Sequence, residues 1–143
     1  MSLSSTRTSL ISTLNAAVTI PVYVDGENFT PKSVKDLPFI RFTFMPNQST
    51  RGPLASGESQ HIGAVNKKFY AGLARIDLYY SRSANSATDA FATAEQVVAA
   101  FMPTTVILAD SQLIIEASWF EEIRQEDSAI GVPVFIRWSN YSL

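Results

Sequence analysis

The fold is decided by residues 67–101, which read KKFYAGLARIDLYYSRSANSATDAFATAEQVVAAF. In the middle of this stretch apolar and polar side chains alternate, which predicts a strand with one buried face. After a short Ser/Asn-rich turn, apolar residues recur three and four positions apart, which predicts a helix with one apolar stripe. The two apolar sets are Ile76, Leu78 and Tyr80 of the strand and Phe91, Ala94, Val98 and Phe101 of the helix. We therefore expect an α+β fold in which this helix covers this strand and further strands extend the sheet.

Length and composition are those of an ordinary globular protein. The 143 residues suffice for one domain, 1–143, that buries roughly two thirds of its unfolded surface. The chain has no cysteine, which excludes disulfides, thiolate metal sites and a cysteine nucleophile. No window approaches the roughly 18 to 20 apolar residues of a membrane span, and the first residues lack the basic and apolar regions of a signal peptide. We therefore expect neither a membrane span nor a signal peptide.

The net charge of -2 is divided unevenly along the chain. Residues 1–88 carry nine Lys/Arg against five Asp/Glu, whereas residues 89–143 carry two against eight. This division predicts two surfaces of opposite sign, which would favour head-to-tail association of identical copies. The alternative is that the charges intermix on folding. The sequence contains no basic stripe of the kind that would indicate sequence-specific nucleic-acid binding.

The remaining elements follow from the same periodicities and from turn residues. Pro21 predicts an edge position for the first strand, because proline cannot donate to a ladder. Pro103 ends the helix of the stretch quoted above. Since sequential strands usually pair, we expect an antiparallel meander, with a hairpin near its end. The predicted elements are a helix at 4–17, strands at 20–24, 38–45, 105–108, 112–120 and 132–138, and a turn at 25–28.

Two of the predicted strands carry informative apolar faces. Strand 38–45 places Ile40, Phe42 and Phe44 on one face, but its other face, with Phe39 and Met45, is also largely apolar. Such a strand is either covered on both sides or has a second face that meets another subunit. Strand 112–120 is predicted to place Leu113, Ile115, Ala117 and Trp119 on one face, alternating with Ile114, Glu116, Ser118 and Phe120 on the other.

A polar stretch at 46–66 is the longest predicted loop. It contains the only histidine of the chain, His61. A catalytic histidine needs an orienting carboxylate and a nucleophile held rigidly nearby, whereas His61 lies in the least rigid predicted segment. We therefore predict a mobile arm that orders on contact with a partner.

Acidic residues cluster at 25–28 and at 121–127. The first cluster could be the start of a calcium loop, but no glutamate closes a twelve-residue loop, so a plain turn is favoured. The second could supply paired carboxylates for acid–base chemistry, ligands for a metal, or a solvated loop. We favour the solvated loop, acting as an acidic rim on an assembly surface.

The chain contains a recognisable order of elements: a leading helix, Pro21-Val22, the turn Phe29-Thr30-Pro31, the strand Pro38-Phe39-Ile40-Arg41-Phe42, Tyr70-Ala71-Gly72-Leu73 leading into Arg75-Ile76-Asp77-Leu78-Tyr79-Tyr80, the alanine-rich helix, and a Trp-containing acidic hairpin closing on Pro133-Val134. This order resembles that of the tail terminator (tail completion) proteins of long-tailed bacteriophages. The resemblance covers nearly the whole chain and rests on turns and strands rather than on a catalytic signature.

This resemblance implies a structural virion protein, not an enzyme, without cofactor or metal. The implied fold is α+β, a mainly antiparallel sheet of four to six strands with two helices on one face. Six copies would form a ring at the head-proximal end of the tail, assembled in the host cytoplasm. The ring would cap the tail tube, end its polymerisation and dock the head connector or neck proteins. Its implied partners are therefore itself, the tube protein and the connector; DNA would pass without specific binding, and no membrane is involved.

Two residue hypotheses accompany the resemblance. The carboxylates of the acidic run would line or rim the channel of the ring and repel passing DNA, whose affinity for proteins comes from Lys and Arg. These residues are Glu121, Glu122, Glu126 and Asp127. Basic residues on or beside the arm would contact the neighbouring subunit or the tail tube. They are Arg51, His61, Lys67 and Lys68.

Other functions remain open at this point. The nearest alternative is another head–tail joining, neck or tail-tube component. From other classes, a small hydrolase would need a pocket with a nucleophile and a base. A ligand-binding domain could use as pocket walls the aromatic residues Trp119, Trp138, Tyr79 and Tyr80, although such residues more often belong to the core.

Overall fold

The computed structural model describes residues 3–27, 37–47, 68–83, 85–103, 113–125 and 129–142. Two helices and six strands follow one another in these ranges. They are α1 (Leu3–Ala17), β1 (Val22–Val24), β2 (Phe39–Asn47), β3 (Lys68–Ser81), α2 (Ser86–Ala100), β4 (Ile114–Phe120), β5 (Arg124–Gln125) and β6 (Ala129–Ser142). The expected α+β class is confirmed, and so are both predicted helices. Within the described ranges, neither helix is long and apolar enough to cross a membrane.

All six strands belong to one sheet of order β1-β2-β3-β6-β4, with β5 paired to β6. The pairs are antiparallel except for β1 and β2, which run parallel. The predicted meander is therefore wrong. The last strand, β6, lies between β3 and β4. It pairs with β3 along the whole length of both strands, which are fourteen residues each. The predicted strand at 105–108 and its hairpin lie outside the described residues.

The core lies between one face of the sheet and the two helices. β6 contributes four fully buried side chains to it, as its predicted alternation requires; they are Val132, Val134, Ile136 and Trp138. Ile40 and Phe42 of β2 and Ile76 and Leu78 of β3 are likewise fully buried. From α1, Leu10 and Leu14 complete the core, so that the apolar residues of both helices meet the same side of the sheet.

The stripe of α2 differs slightly from its prediction. Its fully buried centre consists of Ala90, Ala94 and Val97, whereas Phe91 and Val98 flank the core and are only partly buried. The two alanines are small enough to bring the helix close to the sheet. Phe91 instead packs sideways on Phe120 of β4, with ring centroids 5.7 Å apart. The helix ends at Ala100, as predicted from Pro103.

The predicted alternation of β4 is wrong beyond Ile115. Ile115 pairs with Trp138, but the next paired residue is Ala117, opposite Arg137, so Glu116 is an extra residue in a bulge. An inserted residue reverses which face every later side chain occupies. Trp119 consequently leaves the core side and stacks on Phe135 of β6, at 5.5 Å between ring centroids.

A glycine in β3 allows the largest core side chain to lie flat. Gly72 is paired with Trp138 across the sheet. The indole of Trp138 stacks on Phe44 of β2, with centroids 5.2 Å apart and ring planes within 9°. A Cβ at Gly72 would lie 2.9 Å from Cζ2 of that indole and against the carbonyl oxygen of Met45. The absence of a side chain at residue 72 is thus a condition for this aromatic pair.

Candidate assembly surfaces

Both described helices pack on one side of the sheet, and neither covers the other side, which we call the outer face. The strand registers and the alternation of side chains place on it Phe39, Arg41, Thr43 and Met45 of β2, Leu73, Arg75, Asp77 and Tyr79 of β3, Phe135 and Arg137 of β6, and Ala117 and Trp119 of β4. Among the residues that the structure describes, Met45 is one of two exposed large apolar side chains, at 37%. The second apolar face predicted for strand 38–45 is therefore not covered by either described helix.

Aromatic rings form two groups on the outer face. Phe39 lies between Tyr23 of β1 and Tyr79 of β3, with centroids at 5.9 and 5.0 Å. The second group is the stacked pair of Trp119 and Phe135. Such pairs contribute about 0.5–1.5 kcal/mol beyond the area they bury.

Arginines bracket the second aromatic group. The guanidinium of Arg75 lies 5.8 Å above Phe135, and that of Arg137 lies 5.6 Å above Trp119. Arg75 also donates from Nε to Oδ1 of Asp77, at 3.0 Å. Within the described part of the chain, Arg137 is in this cation–π contact and in no ion pair.

An ion pair joins the turn after β1 to the outer face of β2. Asp25 accepts two hydrogen bonds from Arg41, Nε to Oδ1 at 2.7 Å and Nη2 to Oδ2 at 3.1 Å, and a third from Thr43 Oγ1 at 2.9 Å. The hydrogen bond from Arg41 lowers the pKa of Asp25, and the bond from Thr43 adds to this against the opposing effect of burial. Asp25 raises the pKa of Arg41 in turn.

The turn that carries Asp25 is fixed from two further directions. Gly26 has φ of 83°, a left-handed conformation that glycine adopts without strain. Arg7 of α1 donates to the Asp25 carbonyl oxygen at 3.5 Å and pairs with Glu27 at 3.2 Å. The plain turn expected at this point is confirmed over the described residues 25–27. Both carboxylate oxygens of Asp25 are already engaged by Arg41 and Thr43.

Replacing Asp25 with asparagine should lower the free energy of unfolding by about 0.5–1 kcal/mol at neutral pH, a small value because the pair is partly exposed. Since the folded state lowers the pKa of Asp25, this contribution is complete above its ordinary pKa and disappears as pH falls through the lower folded value. Chemical denaturation at several pH values should therefore show a wild-type advantage that narrows below about pH 4. The matched control is Glu27→Gln, which breaks a more exposed pair and should change little; a constant difference at all pH values would contradict the assignment.

The acidic run is only partly a loop. Glu121 and Glu122 are exposed, and the Glu121 amide continues the pairing with β6 by donating to the Pro133 carbonyl oxygen at 3.0 Å. Arg124 then begins the two-residue strand β5, and its guanidinium lies 3.8 Å from the Glu121 carboxylate. The prediction of a solvated loop is thus correct for the two glutamates and wrong for the residues of β5, whose backbone pairs with β6. Glu126 and Asp127 lie outside the described residues.

The predicted arm lies largely outside the described residues. Its first two positions, 46 and 47, belong to β2, which is therefore longer than predicted. Arg51, His61 and Lys67 are not among the described residues, and Lys68 is the first residue of β3, paired through its backbone with Ser142. The structure does not bring these four basic residues together as a described cluster.

The four aromatic residues considered as pocket walls do not share one site. Trp138 is fully buried on the helix side, whereas Trp119 and Tyr79 lie on the outer face. Tyr80 places its hydroxyl 2.5 Å from Thr93 Oγ1 of α2. An open cavity of about 420 Å³ borders the start of α2, but none of these aromatic residues lines it. Within the described ranges, no three His, Asp or Glu side chains converge as metal ligands.

These features describe a small α+β protein whose sheet is covered on one side and carries arginines and aromatic rings on the other. A protein-family model described as phage tail terminator protein matches residues 5–138. The chain belongs to the phage tail terminator family, and it is accordingly a structural protein of the phage tail.

Comparison of structures extends the match to the fold. One protein of solved structure, whose name carries no functional description, superposes with a TM-score of 0.68 at 18% identity. The match covers 100% of this chain and 97% of the other, so the two share a fold along their whole length. No curated protein shows significant similarity to the chain.

Proposed function

We propose that six copies of this protein form a ring on the head-proximal end of the tail tube, end tube polymerisation and provide the surface on which the head connector docks. The observation that carries the proposal is the family match, which extends over residues 5–138 rather than over one motif. The outer face, which neither described helix covers, supports it, because an apolar and arginine-bearing sheet face suits contact with another protein.

The distribution of charge also supports a ring. The sheet order places β1, β2 and β3 on one side and β6, β4 and β5 on the other. Described ranges 3–27, 37–47 and 68–83, which contain α1 and the first side, have five basic and three acidic residues, whereas described ranges 85–103, 113–125 and 129–142, which contain α2 and the second side, have two and five. Opposite net charges on the two sides favour head-to-tail contacts, which close into a ring when the rotation per subunit is right.

Tail assembly with and without this protein tests the proposal. Tails made in its absence should be longer, variable in length and unattached to heads, and added protein should restore one length and head attachment. Negative-stain images give both readouts. Closed rings of the purified protein would agree with the proposal, whereas open stacks would indicate a tube subunit instead. Tails of normal length that join heads without the protein would contradict it.

We propose that the acidic run rims the channel. Exposed carboxylates at Glu121 and Glu122, continued in sequence by Glu126 and Asp127, would repel the phosphates of passing DNA. Reversing all four to lysine should leave the fold intact but slow DNA ejection, and the delay should shrink as salt screens the new contacts. Ejection can be timed by dye uptake of released DNA. The control replaces the same four with glutamine or asparagine; ejection at the wild-type rate in the lysine variant would remove this role.

A second proposal concerns the arm. Arg51, His61, Lys67 and Lys68 would contact the neighbouring subunit or the tail tube. Deleting residues 50–60 should leave a folded protein, by circular dichroism, that no longer caps tails. A second variant, in which all four basic residues are replaced by glutamine, removes the charge of the arm without shortening it. It therefore separates the effect of charge from the effect of arm length. If the deleted protein still gave head-joined tails of normal length, the arm would have no role in capping.

A further inference from the structure

The outer face of the sheet has an excess of positive charge. Its described strand residues include one carboxylate, Asp77, and three arginines, Arg41, Arg75 and Arg137. Arg41 pairs with Asp25 of the turn after β1, and Arg75 pairs with Asp77. The excess charge therefore lies at Arg137, which is exposed. A protein that docks on this face is expected to bring carboxylates.

The exposed side of α2 has the opposite charge. This helix contains two carboxylates, Asp89 and Glu95, and no basic residue. Both are exposed, and within the described ranges neither is in an ion pair. Three other exposed glutamates, Glu27, Glu116 and Glu121, already contact a basic or hydroxyl group. The helix α1 has no acidic residue, so charge favours α2 over α1 as a partner of the outer face.

The same side of α2 has a shape that suits a sheet. At 100° per residue, Ala92 and Ala99 lie at its centre, and Asp89 and Glu95 flank them at about 60° to either side. On its opposite side, α2 already packs against the sheet of its own subunit through two fully buried alanines. Because the side chains at the centre of the exposed side are equally small, a second sheet could approach α2 as closely as the first.

The spacing of the two carboxylates is close to that of two arginines on the outer face. Asp89 and Glu95 are six residues apart, which corresponds to about 9 Å along the helix axis. Arg75 is paired with Phe135, two residues before Arg137 on the neighbouring strand. Such diagonal neighbours are about 8 Å apart at Cα. The long side chains of arginine and glutamate can take up the remaining difference.

We propose that α2 of a second copy lies on the outer face, where its two carboxylates meet Arg75 and Arg137. The inference rests on the proposed ring, because it names the contact between neighbouring subunits. The outer face and α2 are on opposite sides of one subunit, so each copy uses one of them towards each neighbour, in a head-to-tail contact. The alternative, outer face against outer face, would bring the arginines of two copies together.

Crosslinking between introduced cysteines tests this contact, because the chain has none of its own. Protein with both Arg137→Cys and Glu95→Cys, treated with a short bis-maleimide reagent, should give a ladder of crosslinked oligomers in concentrated solution or on tails. The two positions lie on opposite sides of the subunit, so these links form between copies. Each single variant should stay monomeric on denaturing gels. Dimers from Arg137→Cys alone, or no ladder in either sample, would overturn the proposal.

Charge reversal separates this contact from the ring itself. Arg137→Glu and Glu95→Lys should each lower tail capping at least about tenfold, because like charges then face each other. An equal mixture should restore capping, since alternating copies place opposite charges at every contact. The control, Ser12→Lys on the exposed surface of α1, should cap normally.

Circular dichroism confirms that the variants are folded. Normal capping by either single variant, or a mixture that fails to restore capping, would overturn this contact and leave the ring proposal standing. Normal tails made without any of the protein would instead overturn the ring, whereas a crosslinked ladder would still demonstrate the contact.

Discussion

Replacing Trp138 with alanine is expected to lower the free energy of unfolding by about 3–5 kcal/mol, the range for deleting a buried tryptophan. The side chain is fully buried, stacks on Phe44 and lies opposite Ile115 of β4. Its removal would leave a cavity where β2, β3, β6 and β4 contribute to one core. Because domains of this kind are stable by about 5–15 kcal/mol in total, the variant should be close to unfolding at physiological temperature.

The chain provides its own control for this substitution. Trp119 has the same side chain, stacked on one phenylalanine, but it is only partly buried on the outer face. Trp119→Ala should cost less than half as much, because part of the Trp119 side chain is already exposed to solvent. Urea denaturation of both variants measures the difference. Equal losses of unfolding free energy in the two variants would mean that the principal core does not lie on the helix side of the sheet.

The second large effect is expected at Gly72. An alanine there would bring its Cβ to 2.9 Å from both the Pro46 Cα and the Trp138 Cζ2, and against the Met45 carbonyl oxygen. Two of these three atoms belong to the backbone of β2, so a change of side-chain rotamer cannot relieve the clash. Overpacking of a close contact costs typically 1–3 kcal/mol, and we expect Gly72→Ala to lie at or above the upper end of this range.

Gly131 of β6 is the matched control. A Cβ at Gly131 would meet its nearest neighbour, the Tyr79 ring, at 3.5 Å, which is an ordinary contact. Gly131→Ala should therefore be neutral or slightly stabilising, since alanine loses less backbone entropy than glycine on folding. Thermal unfolding of the two variants makes the comparison. A Gly72→Ala variant as stable as Gly131→Ala would show that β2 and β3 separate easily at this position.

Much of the fold could be predicted from local patterns. The periods of two and of three to four residues identify both helices, the buried faces of β2, β3 and β6, and the end of α2 near Pro103. These predictions succeed because burial of one face imposes a period on the sequence. The strand order could not be obtained in the same way, because the pairing of β3 with β6 depends on partners distant in the chain.

The remaining errors have local physical causes. The bulge at Glu116 reverses the faces of β4, and no glycine or proline in the strand marks it. The ion pair of Asp25 with Arg41 does not follow from the local pattern, which predicts for Asp25 only a turn position or a calcium ligand. A signal for it was present: Arg41 and Thr43 are the polar residues of an otherwise apolar strand face, two positions apart.

The assembly function was predicted from the family resemblance, not from a chemical motif. The family match confirms that resemblance. The proposed rim and arm residues remain predictions, since five of the eight lie outside the described ranges, Lys68 is described only in its backbone, and the exposed Glu121 and Glu122 are equally compatible with a plain solvated surface. Exposure alone does not distinguish a channel from any other surface.

The central pair of β3 and β6 also bears on how the protein is made. Its partners lie between 48 and 74 residues apart in the chain, from Ser81 with Ala129 to Lys68 with Ser142. Contacts of such long range slow folding, because loop closure must precede the gain from pairing. During synthesis, β3 leaves the ribosome before β6. Until β6 has emerged, β3 lacks the strand that pairs with it in the native sheet. The nascent chain therefore commits to its native sheet only after β6 has emerged from the ribosome.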